Sequence, residues 1–248
     1  MLAETKSRRK TLFEVPCYNS LPMVPRGKLI AVEGIDGSGK RTQIEMLSAA
    51  LTRRRIPHTS ISFPRYDTFF GLLAGQFLDG KFGAKIDPHL SALLYAGDRF
   101  DARGEIESAL VKGSIVLADR YAASNLAHQT ARLPPAQRAA FIDWLTKLEF
   151  QIYGIPAEDL VIFLRVPVRN AQHLVGQKKA RHYTSRRHDI LEADRSHLRT
   201  AAAIYEKLAK DPRWVTIDCL DKKTSLLESP DALHLRVMAA VDSRILKP

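Results

Sequence analysis

Two cysteines, Cys17 and Cys219, are all that 248 residues provide. They are too few for a disulfide framework, and no Cys/His spacing of a zinc site surrounds them, so a reducing, cytoplasmic setting is expected. Long apolar runs are missing too. Nothing approaches the roughly 18 residues that a spanning helix needs, and no membrane partner is expected. Internal repeats and low-complexity tracts are absent. The first 27 residues lack both hydrophobic periodicity and the apolar segment of a secretory signal. They hold three prolines and a basic excess, and read as a flexible basic arm.

Acid is absent from residues 165–187, where seven Lys/Arg give a local charge of +7, while residues 1–28 contribute +4. These two blocks account for the whole net charge of +11, so the remainder is neutral in sum. Charge spread evenly suggests a nucleic-acid binder. Charge in two blocks suggests a tail and a local anion clamp, and no nucleic-acid partner is expected. Hydrophobic content of 45% and charged content of 26% are those of an ordinary soluble enzyme, and the length suits one domain with a real core.

Apolar runs recur at Lys28–Glu33, Thr59–Phe63, Ser114–Asp119, Leu160–Val166 and Trp214–Asp218, each with the length and bounds of a strand. Helical patterns fill the intervals at Thr42–Arg55, Pro88–Lys112, Pro135–Tyr153, Ile190–Lys210 and Asp231–Leu246. The alternation predicts an α/β fold: one domain over residues 28–248, a five-stranded parallel sheet flanked by helices on both faces. Ligands of such sheets bind beyond the carboxyl ends of the strands.

Chemistry-bearing residues stand at those ends. Gly34-Ile35-Asp36-Gly37-Ser38-Gly39-Lys40 follows the first strand and opens a helix, the context that makes a phosphate-binding loop credible. Its glycines let consecutive N–H groups point inward at an anion, the helix terminus adds positive potential, and Lys40 reaches the terminal phosphates. A nucleoside triphosphate is the expected ligand. The next position holds Arg41 instead of the usual Ser or Thr, which removes a hydroxyl ligand for Mg²⁺. Thr42 lies about 100° further around the helix, a poor replacement, though able to bond an inner phosphate. Because Mg²⁺ keeps several waters and only one or two protein ligands, carboxylates and nucleotide are expected to hold it.

Phe63-Pro64-Arg65-Tyr66 and Asp119-Arg120-Tyr121 follow the second and third strands. Pro64 constrains its loop, an aromatic beside it offers a platform for a base, and the planar fork of Arg120 is able to contact two oxygens at once. Tyr95 and Arg99 are four apart and share a helix face. The plainer alternatives are a strand-ending turn, a structural Asp–Arg pair and a solvated arginine stripe that includes Arg103. Asp189 and Glu192 also share a face and are able to cap their helix.

Taken together, the glycine loop with Glu33, the Phe-Pro-Arg, Asp98-Arg99, the run from Asp119 to Asn125, and Asp189–Glu192 resemble thymidylate kinase, from about residue 28 to 218. The resemblance implies a P-loop NTPase of the nucleotide-kinase type with a lid at about residues 172–188. It also implies a phosphotransferase that moves the γ-phosphoryl group of ATP to dTMP with Mg²⁺, and a homodimer through the helix carrying Leu90, Leu93, Leu94 and Ile106. Gly34, Asp36, Gly37, Ser38, Gly39, Lys40, Arg41 and Thr42 would then hold ATP. Phe63, Pro64, Arg65 and Tyr66 would approach the acceptor, with Tyr95 stacked on the base and Arg99 on its carbonyl. Ser124, Asn125, His128 and Glu192 complete that pocket, His128 standing where close bacterial relatives have a tyrosine. Lys40, Arg120, Asp36 and an arginine from the lid, Arg181, Arg186 or Arg187, would carry catalysis. Asp36, Asp119 and Asp189 would face the metal. Gly176 is expected as a lid hinge. Three other readings stay open at this point: a kinase for another monophosphate or a nucleoside, a catalytically weak relative, and a nucleic-acid binder.

Overall fold

The structure is a computed structural model that describes residues 26–83, 86–176, 195–221 and 223–247. Five strands, β1 (Leu29–Glu33), β2 (His58–Ser62), β3 (Ile115–Asp119), β4 (Leu160–Arg165) and β5 (Trp214–Asp218), form one sheet in the order β2-β3-β1-β4-β5. Every pairing is parallel, with Val32 beside both Asp119 of β3 and Ile162 of β4. The chain therefore leaves β1 toward one side of the sheet and later returns on the other. The crevice at this reversal, beyond the end of β1, is where α/β sheets bind ligands.

Eight α-helices are described: α1 (Lys40–Arg53), α2 (Phe69–Leu78), α3 (Pro88–Val111), α4 (Ala122–Thr130), α5 (Arg138–Thr146), α6 (Val168–Gly176), α7 (Arg195–Leu208) and α8 (Pro230–Val241). Alternation along β1 sorts the core. Ile30 and Val32 pack with Ile44 and Leu47 of α1, Ile204 of α7 and Val237 of α8. Leu29 and Ala31 pack on the opposite face with Ala102, Ile106 and Leu110 of α3. Each such large aliphatic side chain removed from water contributes roughly 1.5–3 kcal/mol. A third cluster, Ala92, Ala96, Leu126, Phe141 and Leu145, joins α3, α4 and α5 outside the sheet.

The expected strands appear within about one residue of their predicted ends. Three helices were not anticipated: α2, α4 and α6. All nine residues of α4 are buried, its polar Ser124, Asn125, His128 and Gln129 lining a cleft instead of facing solvent, and α2 carries two glycines in an almost wholly apolar decamer. The helix expected over Pro135–Tyr153 is three segments, a 3₁₀ turn at Pro135–Gln137, α5, and a π-helical turn at Lys147–Ile152. Local caps set other boundaries. Asp87 accepts the N–H of His89 at 2.7 Å with Pro88 opening α3, and Thr68 accepts the N–H of Gly71 at 3.3 Å to open α2. Of the expected arm, only residues 26 and 27 lie among the described ones. No helix among the described residues is long and apolar enough to cross a membrane.

Candidate active site

The glycine loop runs from the end of β1 into α1 through backbone that only glycine adopts easily: Gly37 has φ 86° and Gly39, the residue before α1, φ 88°. At Gly37 a Cβ would also stand 2.1 Å from the carbonyl oxygen of Ala171 in α6. Lys40 is the first residue of α1 and is buried; its Nζ donates to the carbonyl oxygens of Gly34 at 3.0 Å and Ile35 at 2.9 Å. Ser38 is buried with its hydroxyl unpartnered. Arg41 turns the other way, 85% exposed, with Nε donating to Glu45 at 3.2 Å one helical turn on. Thr42 is exposed as well.

Glu33, at the end of β1, is fully buried and ties three elements together. Its Oε1 accepts the backbone N–H groups of Tyr121 at 2.7 Å and Ser124 at 3.2 Å, in the first turn of α4. Its Oε2 accepts the hydroxyls of Ser124 at 2.6 Å and Tyr205 of α7 at 2.9 Å. A carboxylate at a helix N-terminus is favoured by the helix dipole. Burial, reinforced by this carboxylate, holds the Tyr205 hydroxyl well above its ordinary pKa. Ser124, expected at the acceptor, lines the cleft described below, but its hydroxyl is committed to this bracket and accepts from Arg120 at 3.0 Å.

Arg120 has φ 68°, a left-handed backbone in a residue with a Cβ. This turn aims the guanidinium back over the glycine loop, where Nη1 donates to the Gly34 carbonyl at 3.3 Å and Nη2 is bonded to the Asp36 carboxylate. Burial alone would lower the Arg120 pKa; the charges of Asp36, Asp119 and Glu33 override it and raise it. Asp119 lies partly buried at the end of β3. Lys40, Asp36 and Arg120, the expected catalytic residues outside the lid, thus meet at one edge of the sheet.

A cleft of about 560 Å³ opens beside them, bounded by Asp36 and Arg120 and by Phe63, Pro64, Tyr66, Tyr95, Arg99, Asn125 and His128. Arg99 is 2% exposed; its Nε donates to Glu149 Oε2 at 3.0 Å and its Nη2 is bonded to Oε1. Burial alone would lower its pKa, and the Glu149 carboxylate reverses the direction. Asn125 Nδ2 donates to the Ala92 carbonyl and to Glu149 Oε1, each at 3.0 Å, while its Oδ1 is buried without a partner. His128 Nδ1 lies 3.3 Å from His197 Nε2, and its Nε2 has no partner. Burial and the nearby Arg120 hold His128 well below the ordinary histidine pKa, hence neutral.

Arg65 departs from its expected place. Its N–H and Nε donate to the Asp98 carboxylate at 2.8 and 3.0 Å and its Nη2 donates to Asp101 at 2.6 Å, so it fastens the β2 loop to α3 and does not line the cleft. A buried carboxylate on a neighbouring helix attracts a guanidinium strongly, and Asp98 is 1% exposed. Arg181, Arg186, Arg187, Asp189 and Glu192 lie outside the described residues. Of the lid span, residues 172–176 complete α6, with Gly176 its last residue. Among the described residues no three His, Cys, Asp or Glu side chains converge on one point.

Sequence reasoning assigned no role to Glu33 and overlooked Glu149. The available signal for the second was a lone acid inside the apolar stretch Leu148–Phe150. It also overlooked a second cleft, of about 990 Å³, beyond the ends of β4 and β5, where Arg165 donates to both Asp218 carboxylate oxygens at 2.5 and 2.8 Å.

Residues 32–229 match the family model described as thymidylate kinase. Among curated proteins, the thymidylate kinase of Mycobacterium tuberculosis is 32% identical over 197 residues, covering 76% of this chain and 90% of the relative. A probable thymidylate kinase of Pyrococcus abyssi is 33% identical over 228 residues, covering 89% and 98%. The solved thymidylate kinase of Candida albicans shares the fold with a TM-score of 0.70 at 23% identity, over 88% of this chain and 92% of that one. With four-fifths of its length matched by one family model, the chain belongs to the thymidylate kinase family.

Proposed function

We propose that this chain transfers the γ-phosphoryl group of ATP to the 5′-phosphate of dTMP, giving ADP and dTDP. The observation that carries the acceptor's identity is the orientation of Asn125. Both partners of its Nδ2 are acceptors, the Ala92 carbonyl and Glu149, so the amide is fixed with Oδ1 as the group left for a ligand. Arg99 has five N–H donors and commits two to Glu149, which leaves donors for a base carbonyl. Thymine presents a ring N–H beside a carbonyl oxygen, the complement of this pair. Cytosine presents a bare ring nitrogen beside an amino group and mismatches both. Tyr95 and Phe63 supply aromatic surface for the base, and the neutral His128 offers Nε2 to the sugar.

The donor phosphates lie in the glycine loop, with Gly34 to Lys40 around them and Arg41 directed outward. Lys40 exchanges its loop carbonyls for phosphate oxygens, and Arg120 exchanges Asp36 for the oxygens between which charge shifts. The acceptor is already an anion, so transfer is in-line and uses no covalent enzyme intermediate; positioning and charge neutralisation supply most of the rate. Because the acceptor cleft takes the β3 side of the loop, the donor base rests in the second cleft, beyond β4 and β5. An arginine from residues 177–194 belongs to this reading, since the interior of the glycine loop holds none. Asp36 and Asp119 are the carboxylates that would hold Mg²⁺ with water and nucleotide, a thin donor set suited to that ion. The metal neutralises phosphate charge when bound.

A homodimer and a cytoplasmic setting complete the proposal. Leu90 on α3 is 52% exposed and available to a second copy, whereas Ile106 is core. The cytoplasmic setting rests on the sparse cysteines alone. ADP release with MgATP against dTMP, dUMP, dCMP, UMP and thymidine tests the activity. Turnover is expected with dTMP first and dUMP second. Equal turnover with dCMP, or none with dTMP, sinks the reading.

A further inference from the structure

Among the described residues, Glu149 is the one charged side chain hydrogen-bonded to both groups assigned to the base without lining the cleft itself. It sits on the π-helical turn Lys147–Ile152, 50 residues from Arg99 and 24 from Asn125, and is 0% exposed. The turn is closed by the Tyr153 N–H donating to the Leu148 carbonyl at 2.8 Å. Such a π turn shifts the face presented by the residues it contains and often marks a functional site. Its Oε1 is shared between Arg99 Nη2 and Asn125 Nδ2, and Oε2 takes Arg99 Nε.

We infer that Glu149 is a positioning residue for the acceptor base: by accepting from Arg99 and Asn125 together it sets the hydrogen-bond polarity of the pocket, and so selects an oxo-pyrimidine with a ring N–H. The inference rests on the base reading proposed above. Its physical basis is a count of donors and acceptors. A carboxylate has only acceptors, so it compels the Asn125 amide to turn Nδ2 toward it and Oδ1 toward the ligand. The alternative rotamer would set the amide oxygen against both the carboxylate and the Ala92 carbonyl. The same carboxylate neutralises a guanidinium that is buried with it. Arg99 therefore faces the cleft as a fixed hydrogen-bond donor to a carbonyl and not as an unpaired charge seeking a phosphate.

Glu149→Gln preserves size and replaces one acceptor by an amino donor. The three N–H groups from Arg99 and Asn125 then compete for one remaining acceptor oxygen, and the Asn125 amide is released to turn over. The expected result, in steady-state kinetics of wild type and variant with dTMP and dCMP, is a rise of about tenfold or more in KM for dTMP. kcat is expected to stay within about threefold. The dTMP-to-dCMP ratio of kcat/KM is expected to fall at least about tenfold, because a site built to hydrogen-bond one substrate edge loses discrimination when that pairing is released. ATP affinity stays as in wild type. An unchanged dTMP-to-dCMP ratio overturns the role of Glu149, however large any loss of stability. A wild-type enzyme that does not prefer dTMP overturns the base reading and this inference with it. Should the variant fail to fold, side-chain amide exchange of Asn125 in the wild type decides. Slow exchange with and without dTMP is expected; fast exchange, or an amide that reorients on binding, overturns the inference.

Discussion

The guanidinium of Arg120, at the carboxyl end of β3, is bonded to the carboxylate of Asp36 in the glycine loop, and it arrives there through a backbone angle of φ 68°. A left-handed residue with a Cβ costs roughly 1–2 kcal/mol, so the surroundings have to hold it. Glu33 does this from beneath, gripping the N–H groups of Tyr121 and Ser124 directly after the turn. The glycine loop and Arg120 are thus preset relative to each other.

Replacing Arg120 by Ala is expected to lower kcat with dTMP by about 10²–10³-fold, the scale of losing a preorganised charge-stabilising donor. Arg120→Lys restores the charge without the planar fork and is expected to recover only part of the loss. Steady-state turnover of both variants checks this; a lysine variant near wild-type turnover would remove the fork from the mechanism.

Arg41 replaces the usual magnesium hydroxyl, yet its side chain points to solvent and pairs with Glu45. Arg41→Ala is therefore expected to leave kcat/KM for MgATP within about threefold. The exposed pair adds less than about 0.5 kcal/mol of stability. A tenfold loss would mean that Arg41 swings inward to the phosphates.

Gly37→Ala meets two obstacles, the φ of 86° and an Ala171 carbonyl oxygen 2.1 Å from the new Cβ. Strain of this kind costs on the order of 1–3 kcal/mol. The expected outcome is a drop in thermal midpoint together with ATP affinity weakened more than about tenfold, read by titration. Full affinity in the variant would show that the loop is not braced by α6.

Glu158 is buried, and that burial, with the Glu33 and Glu149 charges adding to it, pushes its pKa up to about 7. A carboxyl whose pKa is raised on folding favours the native state in full below the ordinary carboxylate value; that contribution is lost as pH rises through about 7. Glu158→Gln keeps a neutral group at every pH. Urea unfolding is expected to find the two proteins alike near pH 4.5. By pH 8 the variant is expected to be more stable by up to about 3 kcal/mol. A difference that does not grow with pH would contradict the burial.

Local chemistry was legible in the sequence. β1, β3 and β4 are buried parallel strands and so read as short apolar runs. The glycine loop announces itself because its backbone angles admit few other residues. Tyr95 and Arg99 shared a face by spacing alone, and both reach the cleft. What stayed hidden is long-range. Arg65 looked like a phosphate ligand until Asp98, 33 residues on, was seen to hold it. Ser124 looked free for substrate until Glu33, 91 residues back, took its hydroxyl. The helix α4 is buried all round, its polar side chains turned to the cleft and not to solvent, so it lacks the exposed polar face that marks a surface helix.

By itself, then, the sequence determined the alternation of strands and helices, the phosphate loop and the residue types at each strand end, because these depend on neighbours within a few positions. Only the tertiary structure decided which polar groups around the cleft are bonded within the protein and which are left without a partner. That outcome depends on where Glu33 and Glu149 are brought, and a buried carboxylate commits whichever donors the fold places beside it. Asn125 could have turned either end of its amide to Glu149; that carboxylate, 24 residues away in sequence, took the Nδ2 and left the oxygen buried without a partner.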